Sequence, residues 1–134
     1  MAKAIELLFW LPYATGMNPI VWFDIRAHNI KRAQKFYGEL FGWKFEQMAG
    51  MEYWRIDLGG ENALTKGGLG KATKRQNGYL NFVLVKSVAR ATVKVKKLGG
   101  KVITARTVVP GHGIFAVCRD TEKNVFALWE TAMK

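Results

Sequence analysis

The chain has 134 residues and a mass of 15.1 kDa, enough for one domain with a hydrophobic core and too short for two ordinary domains. Apolar residues make up 49% and charged residues 23%, a balance that excludes an intrinsically disordered chain. The net charge of +11 attracts anions to the surface but does not identify a binding site. The single cysteine, Cys118, excludes an internal disulfide, so we expect a reducing, cytoplasmic location.

The chain begins with a short apolar stretch, MAKAIELLFWLPYATG. Glu6 and Pro12 interrupt this stretch, and an apolar run of about 9 residues is too short to span a bilayer. We therefore expect neither a signal peptide nor a membrane anchor. Residues 1–16 are interpreted as an N-terminal extension, or as the product of a start codon assigned too far upstream, and residues 17–134 as a single domain.

The next elements follow the order β, α, β, β, β. A β-branched and aromatic run, IVWFDI, predicts a strand, and the apolar spacing over residues 30–41 predicts an amphipathic helix. Asn29 is a good N-cap for this helix, and Gly42 is placed to end it. Three short strand-like segments follow, with the sequences WKFEQM, EYWRIDL and NALTKGGL.

The same order then returns. Residues 87–91, SVARA, repeat the pattern of residues 29–33, NIKRA, 58 positions further along the chain. This second helix is predicted over residues 88–98, after the strand YLNFVLV and before the strands KVITARTVV, GIFAVCR and NVFALWE. The segment KGGLGKATKRQNG joins the halves, and its middle is interpreted as a mobile surface connector, because it lacks the GK[ST] ending of a phosphate-binding loop.

Paired βαβββ modules that contain RAQKFYGELFGW and a D-x-E-x-N turn resemble the vicinal oxygen chelate superfamily. That superfamily includes glyoxalase I, the extradiol dioxygenases and the bleomycin-resistance proteins, and the resemblance covers residues 18–131. It implies an α+β fold in which two tandem βαβββ modules, about residues 18–70 and 78–131, form a curled mixed sheet around a cavity. Where the family usually has Gly in the D-x-E-x-N turn, this chain has Lys123, which predicts backbone strain.

Metal-dependent members of this superfamily place His, Gln or Glu at one position on the first and last strand of each module. Transferred to this chain, these positions are Trp22, Thr65 or a neighbour, Leu80 and Ala127. None of these side chains is a good metal ligand, so the resemblance implies no metal and no cofactor. A two-residue slip at Thr65 reaches Gly67, which is no ligand either.

Few other side chains offer metal or acid-base chemistry. His28 and His112 are predicted in loops, where a solvated or hydrogen-bonded residue is the simpler interpretation. Asp24 shares strand parity with Trp22 and should point into the cavity, where Arg26 or Arg55 would pair with it or where it would act as a general base. Cys118 is interpreted as a core residue, because no His is near it in the sequence.

Aromatic residues are the stronger indication of function, because aromatic walls suit a planar or apolar ligand. Trp22 and Trp129 are placed by parity on cavity strands, with Tyr53, Trp54 and Phe115 on strands that border the cavity. The alternative, that the tryptophans fill the cavity, remains open. The predicted ligand-binding residues are Trp22, Asp24, Arg26, Tyr53, Arg55, Leu80, His112, Phe115, Ala127 and Trp129.

These observations favour a metal-free protein that binds a planar or anionic small molecule, similar to the bleomycin-resistance and glyoxalase-like members of the superfamily. Bleomycin itself is a poor candidate, because a cationic drug would meet a charge of +11. The alternative is a metal-dependent lyase or dioxygenase. No nucleic-acid-binding motif is present, and we expect a homodimer, because the sheet edges of such modules are usually buried by pairing.

Overall fold

The structure, a computed structural model, describes residues 17–59, 66–74 and 77–132. The predicted extension, residues 1–16, and Thr65 lie outside the described residues. Module one consists of β1 (Ile20–Ala27), α1 (Ile30–Phe41), β2 (Lys44–Gln47), β3 (Tyr53–Asp57) and β4 (Gly67–Lys71). Module two consists of β5 (Gly78–Leu84), α2 (Val88–Lys97), β6 (Lys101–Val109), β7 (Gly113–Arg119) and β8 (Val125–Thr131). None of the described helices is long and apolar enough to cross a membrane.

The two helices begin in the same way. The side chain of Asn29 accepts a hydrogen bond from the Arg32 backbone N–H at 2.9 Å, and the Ser87 hydroxyl accepts one from the Arg90 backbone N–H at 3.1 Å. Gly42, with φ of 74°, ends α1 in the left-handed conformation that was predicted. The predicted helix over residues 30–41 is confirmed, and α2 ends one residue earlier than predicted.

In module one the strands lie in the order β2-β3-β4-β1, with β1 parallel to β4 and the other pairs antiparallel. One face of these strands packs Phe23, Ile25, Ile56 and Leu69 into a core with residues of α1. Because side chains alternate along a strand, Trp22, Asp24 and Arg26 lie on the opposite face. We call this the open face of module one.

The last strand of module one is placed differently from the prediction. The segment GGLG was assigned partly to the connector, but Gly67–Lys71 is β4, and its four residues from Gly67 to Gly70 are buried. A run of glycines in a sequence usually indicates a loop, because glycine permits many backbone conformations. Here the glycines form a strand, and neighbouring side chains pack over it where glycine has no side chain.

In module two the strands lie in the order β5-β8-β7-β6, with β5 parallel to β8. The core of Val88, Ala116, Cys118 and Leu128 joins one face to α2. Cys118 is buried there, and burial raises the pKa of its thiol, in keeping with the core interpretation. Among the described residues, two helices and eight strands with both parallel and antiparallel pairs confirm the predicted α+β fold of two βαβββ modules.

The D-x-E-x-N turn before β8 is built as expected and is strained as expected. Asp120 Oδ1 accepts hydrogen bonds from the backbone N–H groups of Asn124, at 2.9 Å, and Glu122, at 2.8 Å. Asp120 Oδ2 accepts one from Asn124 Nδ2 at 3.1 Å. These bonds hold the pKa of Asp120 below its usual range. Lys123, where the family usually has glycine, has φ of 70°, the only positive value among the described non-glycine residues.

Candidate functional site

Four side chains on the open face of module one form a hydrogen-bonded network around Asp24, which is only 1% exposed. One carboxylate oxygen of Asp24, Oδ1, accepts from the Tyr53 hydroxyl at 2.5 Å and from Trp22 Nε1 at 3.0 Å. The other, Oδ2, accepts from Arg26 Nη2 at 2.6 Å. We call Trp22, Asp24, Arg26 and Tyr53 the Asp24 network. Because the carboxylate is enclosed and partnered on both oxygens, it is placed to orient its neighbours rather than to remove a proton.

Arg26, and not Arg55, is therefore the partner of Asp24. The Arg26 side chain is 21% exposed. Its Nε is buried and has no hydrogen-bond partner among the described residues. Arg55 instead lies 3.7 Å from Glu46 in an exposed ion pair, with side chains 55% and 76% exposed. The two arginines thus differ in kind: one is fixed by a buried carboxylate and the other is solvated.

Tyr53 crosses β4 to reach Asp24. Its hydroxyl donates to Asp24 and accepts from Trp22 Nε1 at 2.8 Å. Burial, reinforced by the adjacent carboxylate, raises the pKa of Tyr53. The phenol therefore stays protonated at neutral pH and keeps its donor role in the network.

Two glycines of β4 make this crossing possible. A Cβ atom on Gly68 would overlap the Tyr53 hydroxyl, and a Cβ on Gly70 would lie 2.9 Å from Arg26 Nη1. Gly68 pairs in register with Asp24 on β1 and with Arg55 on β3, so it lies between the strands that Tyr53 bridges. The Asp24 network thus depends on the alternate glycines of GGLG.

Module two carries aromatic residues on the strand face away from α2. Phe82 packs edge-on against Trp129 at 6.4 Å and against Phe115 at 6.5 Å between ring centroids. Trp129 Nε1 donates to the Thr131 hydroxyl at 3.1 Å. The predicted residues Leu80 and Ala127 are 4% and 0% exposed, so neither offers a contact surface to a ligand.

Other predicted residues lie elsewhere. His112 is exposed in the turn between β6 and β7, where its backbone N–H donates to the Val109 carbonyl. His28 is exposed in the connection between β1 and α1, as predicted. Trp54, expected at the border of the cavity, packs instead into the core beneath α1. Its parity along β3 is opposite to that of Tyr53, which accounts for the difference.

The residues at the transferred metal positions do not fit a metal ion. Trp22 offers an indole N–H that is already donated to Asp24 and Tyr53, and Leu80 and Ala127 offer only carbon. In the part of the chain that the structure describes, no group of three or more His, Cys, Asp or Glu side chains could hold a metal ion. A catalytic site needs about three such ligands around an open position.

Two clefts lie on the helix sides of the modules, away from the predicted site residues. The first has a volume of about 330 Å³ and is lined by Ala27, His28, Asn29, Arg32, Ala33 and Phe36. The second, of about 420 Å³, includes the residues 58 positions further along the chain: Val85, Lys86, Ser87, Arg90, Ala91 and Lys94. The sequence repeat therefore reproduces a cleft at the start of each helix.

Comparisons with known proteins agree with this fold. Residues 19–58 match the family model described as bleomycin resistance protein-like N-terminal. Solved structures of the same fold cover most of the chain, and the resemblance to the vicinal oxygen chelate superfamily is confirmed: the chain has the fold of that superfamily.

Particular relatives are similar in structure but distant in sequence. A hypothetical protein from Bacillus halodurans is 16% identical with a TM-score of 0.61, over 87% of this chain and 96% of that chain. A variant of methylmalonyl-CoA epimerase from Streptomyces coelicolor is 12% identical at a TM-score of 0.57, over 85% and 97% of the two chains. The 2,3-dioxygenase LapB from a Pseudomonas species is 14% identical with a TM-score of 0.57, over 85% of this chain and 42% of that chain. No curated protein sequence matches the chain significantly.

Sequence reasoning missed three features of these sites. Gly68 and Gly70 carry no functional group, so their role appears only when Tyr53 is seen above them. Phe82 has the same strand parity as Leu80 but was not among the predicted site residues. The two clefts were signalled by the NIKRA and SVARA repeat, which was used to place the helices and not to ask what their first turns enclose.

Proposed function

We propose that the protein binds a planar, anionic small molecule on the open face of module one without the help of a metal ion. The observation that carries the proposal is the Asp24 network, in which a buried carboxylate holds Arg26 in place beside the indole of Trp22. The proposal concerns binding and includes no reaction step.

Arg26 supplies the recognition of the anion. Its guanidinium is planar and always charged, and it matches a carboxylate or phosphate better than a lysine does. Asp24 fixes one end of the guanidinium through Nη2, while Nε lacks an acceptor among the described residues. A buried donor of a charged group without a partner is costly. An acidic ligand that approaches Arg26 would relieve part of this cost.

Aromatic side chains supply the planar surface. Trp22 is half-buried and held by two hydrogen bonds from its Nε1 to Asp24 and Tyr53, so its ring is oriented before a ligand arrives. A ring that is already fixed loses little conformational entropy on binding.

A metal-dependent lyase or dioxygenase is the weaker proposal. A dioxygenase and an epimerase are among the structural neighbours, but at 12% to 14% identity they share the fold only. The side chains at the described metal positions supply no ligands, as shown above. We therefore expect purified protein to contain no stoichiometric transition metal, and metal analysis by mass spectrometry tests this expectation.

Binding is tested by titrating the metal-stripped, full-length protein with 4-nitrobenzoate and with its uncharged analogue 4-nitrobenzamide, and by following tryptophan fluorescence. We expect saturable quenching by the anion and much weaker quenching by the amide. Trp22→Phe should abolish most of the quenching, because Trp22 is the tryptophan that the proposal places against the ligand and stacking on one aromatic ring contributes about 1–3 kcal/mol. Arg26→Lys, which keeps a charge beside Asp24, should weaken binding of the anion.

The matched control is Trp54→Phe, because Trp54 packs in the core beneath α1 and not on the open face. This variant should keep the affinity of the wild type. Quenching that survives Arg26→Lys and Trp22→Phe unchanged, or that appears only after a divalent metal is added, would contradict the proposal.

We also propose that the protein is a homodimer. On α1, Phe36, Leu40 and Phe41 are 59%, 58% and 56% exposed, an unusual concentration of large apolar side chains on one helix. Burial of such a surface by a second copy follows the common twofold arrangement of soluble proteins. Sedimentation velocity at tens of micromolar should give a species of twice the chain mass. A single 15.1 kDa species would contradict this expectation.

A further inference from the structure

The cleft beside α2 in module two has features that the proposed function does not use. It is an open cleft of about 420 Å³, a volume within the range of roughly 300–1,000 Å³ that is usual for small-molecule sites. Its apolar wall is formed by residues of β5, α2 and β8 and of the turn after β5. These residues are Val83, Val85, Ala91, Val95, Leu98 and Leu128. We call this cleft the α2 cleft.

Its polar rim is cationic. Lys86, Arg90 and Lys94 line the cleft, and no acidic side chain lines it with them. These three residues are spaced four apart, so Arg90 and Lys94 lie one turn apart on the same side of α2. None of the three has an ion-pair partner in the described ranges, where the two ion pairs involve Arg26 and Arg55.

The position of Arg90 is locally unfavourable. It lies in the first turn of α2, which contains no acidic residue, and a cation there opposes the helix dipole. Like charges at Arg90 and Lys94 repel each other as well. The Glu130 carboxylate, which accepts from the Val88 backbone N–H, offsets the dipole at the helix start, but Glu130 does not line the cleft, so a bound anion there would still reduce the repulsion between Arg90 and Lys94.

Other groups near the start of the helix are already engaged. The Val88 backbone N–H donates to Glu130 Oε1 at 2.8 Å, and the Arg90 backbone N–H donates to the Ser87 hydroxyl. An anion in the α2 cleft would therefore be held by the side-chain cations and not by the backbone at the helix start.

The equivalent cleft in module one provides an internal comparison. Its Arg32 corresponds to Arg90, but His28 and Phe36 stand where module two has Lys86 and Lys94. Module two therefore carries two lysines, absent from module one, at the rim of a cleft that the fold forms in both modules. The charge is specific to this cleft rather than a general feature of the repeat.

We propose that the α2 cleft binds an amphipathic anion, a carboxylate or phosphate head on an apolar tail. The head group lies among Lys86, Arg90 and Lys94, and the tail lies against Val95 and Leu98. Leu98 is 68% exposed without a ligand, so a tail that covers it removes apolar surface from water.

The test is a titration of the full-length, ¹⁵N-labelled protein with octanoate and octyl phosphate, followed by two-dimensional NMR. Saturable shifts of the backbone amides of Val85, Ala91 and Leu98 are expected with both ligands, and their common response would identify the oxyanion head as the shared element. Octanol should bind at least tenfold more weakly. Inorganic phosphate should bind at least tenfold more weakly than octyl phosphate, because it lacks the tail.

The variant Arg90→Gln with Lys94→Gln should weaken binding at least tenfold. Its matched control is Lys96→Gln with Lys97→Gln, which removes the same charge from the same helix at residues that do not line the cleft. The control should bind like the wild type, and far-UV circular dichroism verifies that both variants fold.

Equal weakening in both double variants would show attraction by net charge alone and would overturn the proposal. Octanol bound as tightly as octanoate would overturn it too, as would shifts confined to Trp22, Arg26 and Tyr53. Because none of the substituted residues belongs to the Asp24 network, failure here is distinguishable from failure of the function proposed for module one.

Discussion

The two modules share one topology but place charge on opposite sides of their strands. In module one the buried ion pair of Asp24 and Arg26 lies on the face away from the helix, and the cleft beside α1 contains one arginine. In module two the face away from the helix carries aromatic rings, and three cations line the α2 cleft. A duplicated fold therefore fixes where sites can form, while a few side chains decide which sites carry charge.

The largest expected effect comes from the buried ion pair. Asp24→Ala leaves Arg26, Tyr53 and Trp22 without their common acceptor, and loss of one partner of a buried pair typically costs about 3–5 kcal/mol. The control Glu46→Ala breaks the exposed ion pair with Arg55 and should lower the free energy of unfolding by about 0–1 kcal/mol. Urea denaturation measures both. Equal costs would remove the distinction between the two pairs.

The next effect tests the glycine strand. Gly68→Ala places a methyl group where the Tyr53 hydroxyl lies, and overpacking of this kind typically costs about 1–3 kcal/mol. Gly70→Ala should cost less, because the nearest atom, Arg26 Nη1 at 2.9 Å, belongs to the end of a flexible side chain. A stability of Gly68→Ala equal to that of the wild type would show that Tyr53 does not need to cross β4.

Tyr53→Phe removes the hydroxyl but keeps the ring, and should lower the free energy of unfolding by about 1 kcal/mol. The raised pKa of Tyr53 adds a pH dependence. From about pH 10 upward, the usual phenol pKa, the unfolded chain releases this proton while the folded chain retains it, so stability falls as the pH rises. The variant lacks this contribution. Its deficit relative to the wild type should therefore shrink above about pH 10 in denaturation measured across that range.

The smallest effect concerns the turn before β8 in module two. Lys123→Gly relieves a left-handed conformation that costs a non-glycine residue about 1–2 kcal/mol, partly offset by the greater chain entropy of glycine. We expect a net gain of about 0.5–1 kcal/mol in thermal denaturation. Asn124→Ala is the opposing control, because it removes a side-chain hydrogen bond to Asp120 and should lower stability. A destabilised Lys123→Gly variant would contradict the strain assigned to this turn.

The sequence predicted the fold well because local and tertiary signals agree in most elements. The apolar spacing of α1, the caps at Asn29 and Ser87 and the apolar run of β7 each pointed to the observed structure. It was only partly right at β4: Gly67–Leu69 fall in a predicted strand, but Gly70 and Lys71 were assigned to the connector, since the propensity of glycine indicates a loop and only the neighbours of Gly68 explain a strand.

The candidate site was less predictable for a physical reason. Parity correctly placed Trp22, Asp24 and Arg26 on one face, but parity cannot say that Arg26 rather than Arg55 reaches Asp24. That choice depends on register: Arg26 lies two residues from Asp24 on the same strand, whereas Arg55 lies on β3, with β4 between it and β1. The clefts beside the helices depend on packing distances, which a sequence does not contain.

The central claim is that module one recognises an anion through Arg26 without a metal ion. The most direct measurement is an NMR titration of metal-stripped, ¹⁵N-labelled protein with 4-nitrobenzoate, observing the side-chain N–H signals of Arg26 Nε and Trp22 Nε1. We predict saturable shifts of both signals that are unchanged when Zn²⁺ or Mn²⁺ is added. Signals that stay fixed until a divalent ion is present, and then shift, would contradict the claim.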